Sequence, residues 1–292
     1  MKPPPFDYHR PETVAEAVGT LAELGDDAKV LAGGQSLVPM LNLRLARFDH
    51  LVDIGRVREL TNVERRDGAL VVGAGVRDRV LELDPAVAEA VPLLRLVTPY
   101  VGHFQIRNRG TVGGSLAHAD PAAEYPAVAL TLGATIELTS AGAARTVPAD
   151  EFFTGFWSTS AEADELLTSI AFPVWDGRTG FGVAEFARRH GDFAIAGAVA
   201  AIEIDRGGAI TRAALTSFGV GPTPLASAAA AGLRGTAVAD VDAAELAERT
   251  VAELDDVTDD PQVPAAYRRR VAAAVVADAW RNAVADLEGN ER

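Results

Sequence analysis

Two glycine-serine segments are the residues of this chain whose types and spacing could do chemistry. The first is Lys29-Val-Leu-Ala-Gly-Gly-Gln-Ser-Leu-Val-Pro39; the second is Arg109-Gly-Thr-Val-Gly-Gly-Ser-Leu-Ala-His-Ala-Asp120. Each sets a Gly-Gly pair and a Ser in an apolar frame. Glycine lets a backbone approach a ligand closely, and a nest of free N–H groups carries partial positive charge. A helix that starts just after such a turn adds its dipole. In the first segment Gly33, Gly34, Gln35 and Ser36 are the candidate donors, with the Ser36 hydroxyl as an extra one. In the second they are Thr111, Gly113, Gly114 and Ser115. The ligand class is therefore anionic, and two such turns suit one diphosphate gripped from both sides.

Neither segment is the dinucleotide fingerprint G-x-G-x-x-G, and neither has an acidic residue about 20 residues on in a βαβ context. No G-K-S/T occurs, which excludes a P-loop. Taken singly, a Gly-Gly-x-Ser turn reads first as an ordinary tight turn; two in one chain are a much stronger signal. Ser36 and Ser115 are poor nucleophiles: no G-x-S-x-G elbow exists and no His stands in a triad order. The five histidines show no ligand spacing, so His103 and His118 read as loop residues rather than metal ligands. Asp120 and Glu124 stand four apart like an acid–base dyad. Because Asp120 precedes Pro121, they read instead as an N-cap and a first-turn acid. Arg107 and Arg109 could pair with phosphate, but are expected to brace the loop through acidic neighbours.

Composition narrows the class. The 292 residues suffice for two or three compact units, and 48% hydrophobic content is normal for a globular chain. There is no cysteine, so this chain offers no disulfide, thiol nucleophile or Cys-ligated zinc or iron–sulfur centre. A net charge of −14 argues against general nucleic-acid binding. No apolar run approaches a membrane span, and Met1–Tyr8 lacks a signal-peptide core, so a cytoplasmic location is expected. Only Lys2 and Lys29 are lysines, which draws notice to Lys29 beside the first glycine turn.

The elements that must position these residues follow from periodicity. Residues 1–10 are Pro-rich and extended. A helix with Val14, Ala17, Val18, Leu21 and Leu24 at helical spacing ends at Gly25. A short buried strand, Ala28–Ala32, precedes the first turn. Ser36 then caps a helix running to Arg47, and His50–Ile54 is a strand. Next come a strand at Ala69–Gly75, helices at Arg77–Ala90 and Pro92–Val101, and the second glycine segment. A helix from Pro121, strands at Ala134–Thr139 and Arg145–Val147, an aromatic loop at Phe152–Trp157 and a strand at Glu165–Phe172 complete the middle. Trp157 and its aromatic neighbours read as core or subunit interface. Beyond Asp176–Gly180 the strands Phe181–Ala187, Phe193–Ile204 and Ala209–Gly219 are followed by helices Leu225–Ala231, Val241–Leu254 and Ala265–Leu287. The tail Glu288–Arg292 is expected to fray. The class is α+β: a small β-α-β unit over 1–55, a larger unit over 56–175, then a domain of antiparallel strands and helices over 176–287.

Ala32-Gly-Gly-Gln-Ser-Leu37, Leu51-Val-Asp-Ile54 and Ile106–Glu124 resemble the FAD-binding medium subunit of the molybdenum hydroxylases, the group of carbon monoxide and xanthine dehydrogenases. Asp164–Pro173 and Arg188–Ala196 extend the resemblance along essentially the whole chain. It implies a two-part FAD-binding module of the PCMH type. FAD would lie in a cleft between the first and middle units, its diphosphate between 32–37 (Ala32, Gly33, Gly34, Gln35, Ser36, Leu37) and 111–115 (Thr111, Val112, Gly113, Gly114, Ser115). Lys29 and Leu31 would lie along the dinucleotide, and Ile106, Asp120 and Glu124 near it, with Asp120 accepting from a polar group of FAD. Phe193 would stand by the isoalloxazine ring, with Leu167 lining the same cavity. The implied role is electron transfer: [2Fe–2S] clusters of a small subunit would feed FAD with electrons from a large molybdopterin-binding subunit, in a dimer of heterotrimers (a heterohexamer). An external acceptor would take the electrons on. Two other classes stay open from the residues: a stand-alone flavin oxidase or dehydrogenase of the related fold, and a binding or assembly protein without flavin.

Overall fold

In the computed structural model, which describes residues 1–289, three principal sheets follow one another along the chain. The first unit is β1 (Asp7–His9), α1 (Val14–Leu24), β2 (Ala28–Leu31), α2 (Leu37–Leu43) and β3 (His50–Asp53). Its strands are all parallel, in the order β1-β3-β2. The Pro-rich start is extended as expected, and it also adds β1 to this sheet. α1 begins where the Thr13 hydroxyl accepts from the Glu16 N–H at 3.1 Å, and it buries Ala17, Val18 and Leu21 against Val52 and Ile54. β2 is an edge strand and only half-buried, so Lys29 on it is exposed. α2 is shorter than its pattern suggests. Arg44 takes φ 59, a left-handed turn that ends the helix, and the hydroxyl of Ser36 caps nothing. Parallel strands put their C-terminal ends on one edge. Arg10, Ala32 and Ile54 therefore leave the sheet side by side.

The middle unit contains β4 (Val63–Arg66) and β5 (Ala69–Gly73), then α3 (Asp78–Leu83), α4 (Pro85–Ala90) and α5 (Pro92–Val97). One helix over 77–90 was expected. Pro85 breaks it: Asp84 swings to ψ 119 and its carboxylate accepts from the Ala86 N–H at 2.9 Å, capping a new helix. α6 (Phe104–Arg107), α7 (Val112–His118) and α8 (Glu124–Leu132) follow, so the second glycine segment is mostly helix rather than turn. α8 starts three residues later than Pro121 suggests. Ala123 is its N-cap residue, and Asp120 closes a turn by accepting from the Ala122 N–H at 2.9 Å. β6 (Thr135–Thr139), β7 (Ala144–Pro148), α9 (Ala149–Phe152) and the small ribbon β8 (Phe153–Gly155) and β9 (Ser158–Thr159) lead to β10 (Leu166–Pro173). The antiparallel order is β4-β5-β10-β6-β7.

The last unit is the antiparallel sheet β11 (Arg178–Ala187), β12 (Ala194–Ile204), β13 (Ile210–Phe218) and β14 (Leu225–Ala226) with α10 (Ala228–Ala231), α11 (Ala243–Ala252) and α12 (Ala265–Gly289). Residues 225–231 are not one helix. Leu225–Ala226 pairs with β13, and Ser227 then caps α10 by accepting from the Ala230 N–H at 3.2 Å. Of the tail, Glu288 and Gly289 belong to α12; residues 290–292 lie outside the described ones. β12 is apolar along nearly its whole length because both its faces are covered. Ala198, Ala200 and Ile202 pack toward α12, while Val199 and Ala201 pack toward the middle unit. That second face joins the units into one core, with Phe181, Val183 and Phe218 against Tyr125 and Val128. Polar contacts register it: Thr131 donates to Thr216 at 2.7 Å, Gly219 N–H donates to the Pro121 carbonyl at 2.7 Å, and the Arg212 guanidinium lies 3.9 Å from the Trp175 ring centre.

Candidate functional site

The first glycine turn projects from the C-terminal edge of the parallel sheet, where ligands of open α/β sheets bind. Gly34 takes φ 73, and the backbone N–H groups of Gly33, Gly34, Gln35 and Ser36 have no partner in the protein among the described residues. The Gln35 amide donates instead to the Gly33 carbonyl at 3.0 Å, tightening the turn. A cavity of about 520 Å³ opens beside it, lined by the predicted Leu31, Ala32, Gly33, Gly34 and Gln35 and also by Arg10, Asp53, Arg77 and Arg109. Arg10, Asp53 and Arg77 were not singled out from the sequence, and Arg109 was expected to brace its loop. Arg10 and Asp53 close neighbouring strands of the sheet. Arg77 and Arg109 come from the middle unit, and the Arg77 guanidinium donates to the Arg109 carbonyl. Burial, then the neighbouring Arg109, lower the Arg77 pKa, with Asp78 and Asp53 opposing.

The second glycine segment meets the first directly. A Cβ on Gly33 would strike the Arg109 carbonyl oxygen and come within 2.7 Å of the Gly110 Cα. Ala32 stands 3.5 Å from where a Gly114 Cβ would be. The two turns are thus in contact across the boundary between units. Their donors differ from expectation, however. In the second segment Val112 and Gly113 N–H groups donate to the carbonyls of Val76 and Ala74, at 3.2 and 3.1 Å. Gly114 N–H donates to the Thr111 hydroxyl at 3.1 Å, and Ser115 N–H to the Thr111 carbonyl at 3.0 Å. Here glycine serves packing: a Cβ on Gly113 would lie 2.6 Å from the Ala74 Cα. What this segment can still offer an anion is the Thr111 N–H and the Ser115 hydroxyl, neither with a partner among the described residues, and the proton of the Thr111 hydroxyl. A smaller pocket, about 130 Å³, lies beneath the contact and is lined by Ala32, Ile54, Gly55, Thr61, Val76 and Thr111 among others.

The remaining predicted residues spread outward. Lys29 lies 5.8 Å from the Phe48 ring centre, and its charge reaches His118 on α7. Burial is the main reason the His118 pKa is lowered, Asp120 opposing and Lys29 adding to it. Asp120 accepts from the Trp157 indole N–H at 3.2 Å and lies 3.9 Å from His118. Trp157, at φ 50, is exposed and so is not part of the core. Ile106 packs on Gly102, while Leu37 starts α2 behind the turn. Leu167 is 6% exposed within the core of the five-stranded sheet and lines neither cavity. Phe193 is 72% exposed at the foot of β12. Glu124 is buried at the start of α8. Arg107 braces the segment as expected, through Glu82 at 3.0 Å and the Gly102 carbonyl at 2.9 Å. Arg109 faces the cavity instead, and no acidic partner of its side chain occurs among the described residues.

Comparison with known proteins gives a consistent relationship. Residues 4–175 match the family model for the FAD binding domain in molybdopterin dehydrogenase, and residues 182–283 match that for the CO dehydrogenase flavoprotein C-terminal domain. The chain is 36% identical over 286 residues to the carbon monoxide dehydrogenase medium chain of Afipia carboxidovorans, covering 98% of this chain and 99% of that one. It is 42% identical over 225 residues to the 6-hydroxypseudooxynicotine dehydrogenase complex subunit alpha of Paenarthrobacter nicotinovorans, covering 77% and 76%. The fold superposes with TM-score 0.94 at 36% identity on a chain of the carbon monoxide dehydrogenase of Hydrogenophaga pseudoflava, covering 98% and 99%.

Proposed function

The chain belongs to the FAD-binding medium subunits of the molybdenum hydroxylases, and from that membership we propose how its residues divide the work. The residues present fit FAD: unpartnered amides in a turn, a cavity at a sheet edge, and two arginines facing it. The observation that carries the assignment is the set of free N–H groups at Gly33–Ser36 opposite Arg77 and Arg109. These amides and guanidinium groups hold the diphosphate, and the hydroxyls of Thr111 and Ser115 complete the grip from the middle unit. Gly113 and Gly114 set how closely the two units approach. Lys29 and Leu31 follow the dinucleotide. Asp120, oriented by Trp157 and the Ala122 N–H, accepts from a polar group of the cofactor. Ile106, Phe193 and the start of α8 border the ring. Leu167 supports the sheet from within and contributes by packing.

When bound, FAD supplies the redox chemistry, accepting electrons singly and passing them on. The chain therefore needs no acid–base residue of its own; it binds, orients and shields. With no cysteine, it relies on a partner for iron–sulfur clusters. The full reading is a medium subunit working with a large molybdopterin-binding subunit and a small [2Fe–2S] subunit, as a cytoplasmic dimer of heterotrimers that serves an external acceptor. Its functional units are 1–55, 56–175 and 176–287. The test is spectroscopic. The purified full-length chain is expected to be yellow, and Arg77→Gln to lower flavin affinity roughly tenfold or more, the scale of one charge-assisted phosphate contact. Unchanged affinity would overturn the placement of the diphosphate. Reduction of the flavin by substrate in the lone chain would overturn the subunit role in favour of a stand-alone oxidase.

A further inference from the structure

Arg268 stands in the first turn of α12, where the helix dipole disfavours a cation, and it is only 7% exposed. A buried charge needs partners. Its Nε–H donates to the Thr258 carbonyl at 3.0 Å. Nη1 donates to the Ile195 carbonyl at 2.6 Å and to the Gly219 carbonyl at 2.7 Å, and Nη2 donates to the Asp260 carboxylate at 2.7 Å. Most of these acceptors are backbone oxygens, and one nitrogen spans two strand ends. The ladder between β12 and β13 stops at Gly197–Phe218. Ile195 and Gly219 lie beyond that point, so Arg268 continues by side chain a pairing that the backbone has ended. The rigid fork of a guanidinium suits this task, whereas a lysine ammonium on a flexible stem does not.

Both stapled points lead toward the candidate site. Gly219 takes φ 73, and its N–H donates to the Pro121 carbonyl at 2.7 Å. Pro121 directly follows Asp120. Ile195 follows Phe193 by two residues. The segment between β11 and β12 is pinned at its other end by Arg188, which donates to Gln262 at 2.7 Å in the loop before α12. Its middle lies on the middle unit: the His190 ring meets Tyr100 edge-on at 6.3 Å, and a Cβ on Gly191 would come within 2.7 Å of the His103 ring. Phe193 itself is 72% exposed, so its place is set by the backbone that carries it rather than by packing. We propose that Arg268 is a positioning residue of the flavin site: one guanidinium ties the start of β12 to the end of β13 and so fixes Phe193, from the last unit, relative to Asp120, from the middle unit. It acts through the backbone and touches no cofactor. The inference rests on the functional reading above for the roles of Phe193 and Asp120; the staple belongs to the protein with or without flavin.

The test uses the full-length chain and Arg268→Lys, read first by backbone hydrogen exchange at Ile195, Gly219, Ala122 and Ala123. Lysine keeps a positive charge but loses the fork, so exchange at all four is expected to rise on the order of tenfold, with β2 and β3 unchanged. No rise, or a rise on one side of the staple only, would contradict the inference. An equal rise through the whole of α12 would also sink it, by reducing Arg268 to a general support of the helix. If the variant does not fold, the wild type decides. In sub-denaturing urea Ile195 and Ala122 are expected to open with one shared urea slope, and separate slopes would overturn the staple. The bound flavin is the second readout, at saturating FAD. Phe193→Leu and Arg268→Lys are both expected to shift its visible absorbance and fluorescence. A shift in Phe193→Leu alone would refute the role of Arg268 and leave the placement of the ring intact. A shift in neither, with exchange altered as expected, would refute the placement of the ring while the staple stands.

Discussion

Gly33 is the residue on which the two halves of the clamp depend. Its missing side chain is what lets the Arg109 carbonyl and the Gly110 Cα come against the first turn. Gly33→Ala is expected to push the units apart, costing about 1–3 kcal/mol of stability and most of the bound flavin. Thermal unfolding and flavin absorbance measure both, and retention of full flavin content would show that the turns need not touch. Asp78 acts from beneath the same contact. It is 3% exposed, its Oδ1 is unpartnered, and its Oδ2 sits where a Gly110 Cβ would be. Burial raises its pKa to about 7, with Arg77 and Arg107 opposing. A carboxyl whose folded pKa exceeds its unfolded one supports the fold fully below the unfolded value and loses that support as pH rises through the folded one. Asp78→Asn is therefore expected to flatten the fall in stability between about pH 4 and pH 7, by up to about 4 kcal/mol at its upper end. Denaturant unfolding across that range checks it; a profile identical to wild type would mean that Asp78 finds a partner in solution.

Elements set what was legible in the sequence. α1 and α12 were readable because their apolar positions recur at helical spacing over many residues, and β11–β13 because long apolar runs are broken by plain turns. The donors of the second glycine segment were not readable. The acceptors of Val112 and Gly113, the Val76 and Ala74 carbonyls, lie just past β5 some 40 residues earlier, and nothing local to 109–120 reports that pairing; Gly114 and Ser115 are taken by Thr111, the N-cap residue of α7. The same distance in sequence hid Arg77 and Arg10 from the cavity. β1 and β4 were missed as short edge strands, fixed by their neighbours rather than by their own pattern. Arg109 was misassigned because a basic residue near acids reads as a brace until the fold shows where it points. Two glycines separate packing from propensity. Gly182 lies under α12, where a Cβ would meet the Ala279 carbonyl and come within 2.5 Å of the Ala283 N. Gly182→Ala should cost about 1–3 kcal/mol by wedging the helix off the sheet. Gly19, inside α1 with nothing within 4 Å, should gain roughly 1 kcal/mol on replacement by alanine. Opposite signs in urea unfolding are expected, and the same sign for both would mean that α12 yields to the added methyl.

At the scale of the whole molecule, the seams between units are unequal. The middle and last units share one apolar core, reinforced by Thr131–Thr216 and by Arg212 over Trp175. The small core around Val52 and Ile54 in the first unit also takes in Val57, Leu60 and Leu166 of the middle unit. The first unit also meets the middle unit through the bare backbone of the glycine turns, with arginines facing a cavity at the junction. Arg77 and Arg109 stand side by side there, and Asp78 and Asp53 oppose their repulsion without restoring the Arg77 pKa. A ligand that bridges these two units and binds the folded chain alone stabilises it by mass action, in proportion to the logarithm of its concentration over Kd. FAD at about 100 times its Kd is thus expected to add about 2.7 kcal/mol. The gain should be local: hydrogen exchange in β1–β3 and α2 should slow on adding FAD, while exchange in β12 and α12 should change little. Uniform protection of all three units would mean that the cofactor holds the whole chain rather than the first junction, and the clamp would then be one support among several.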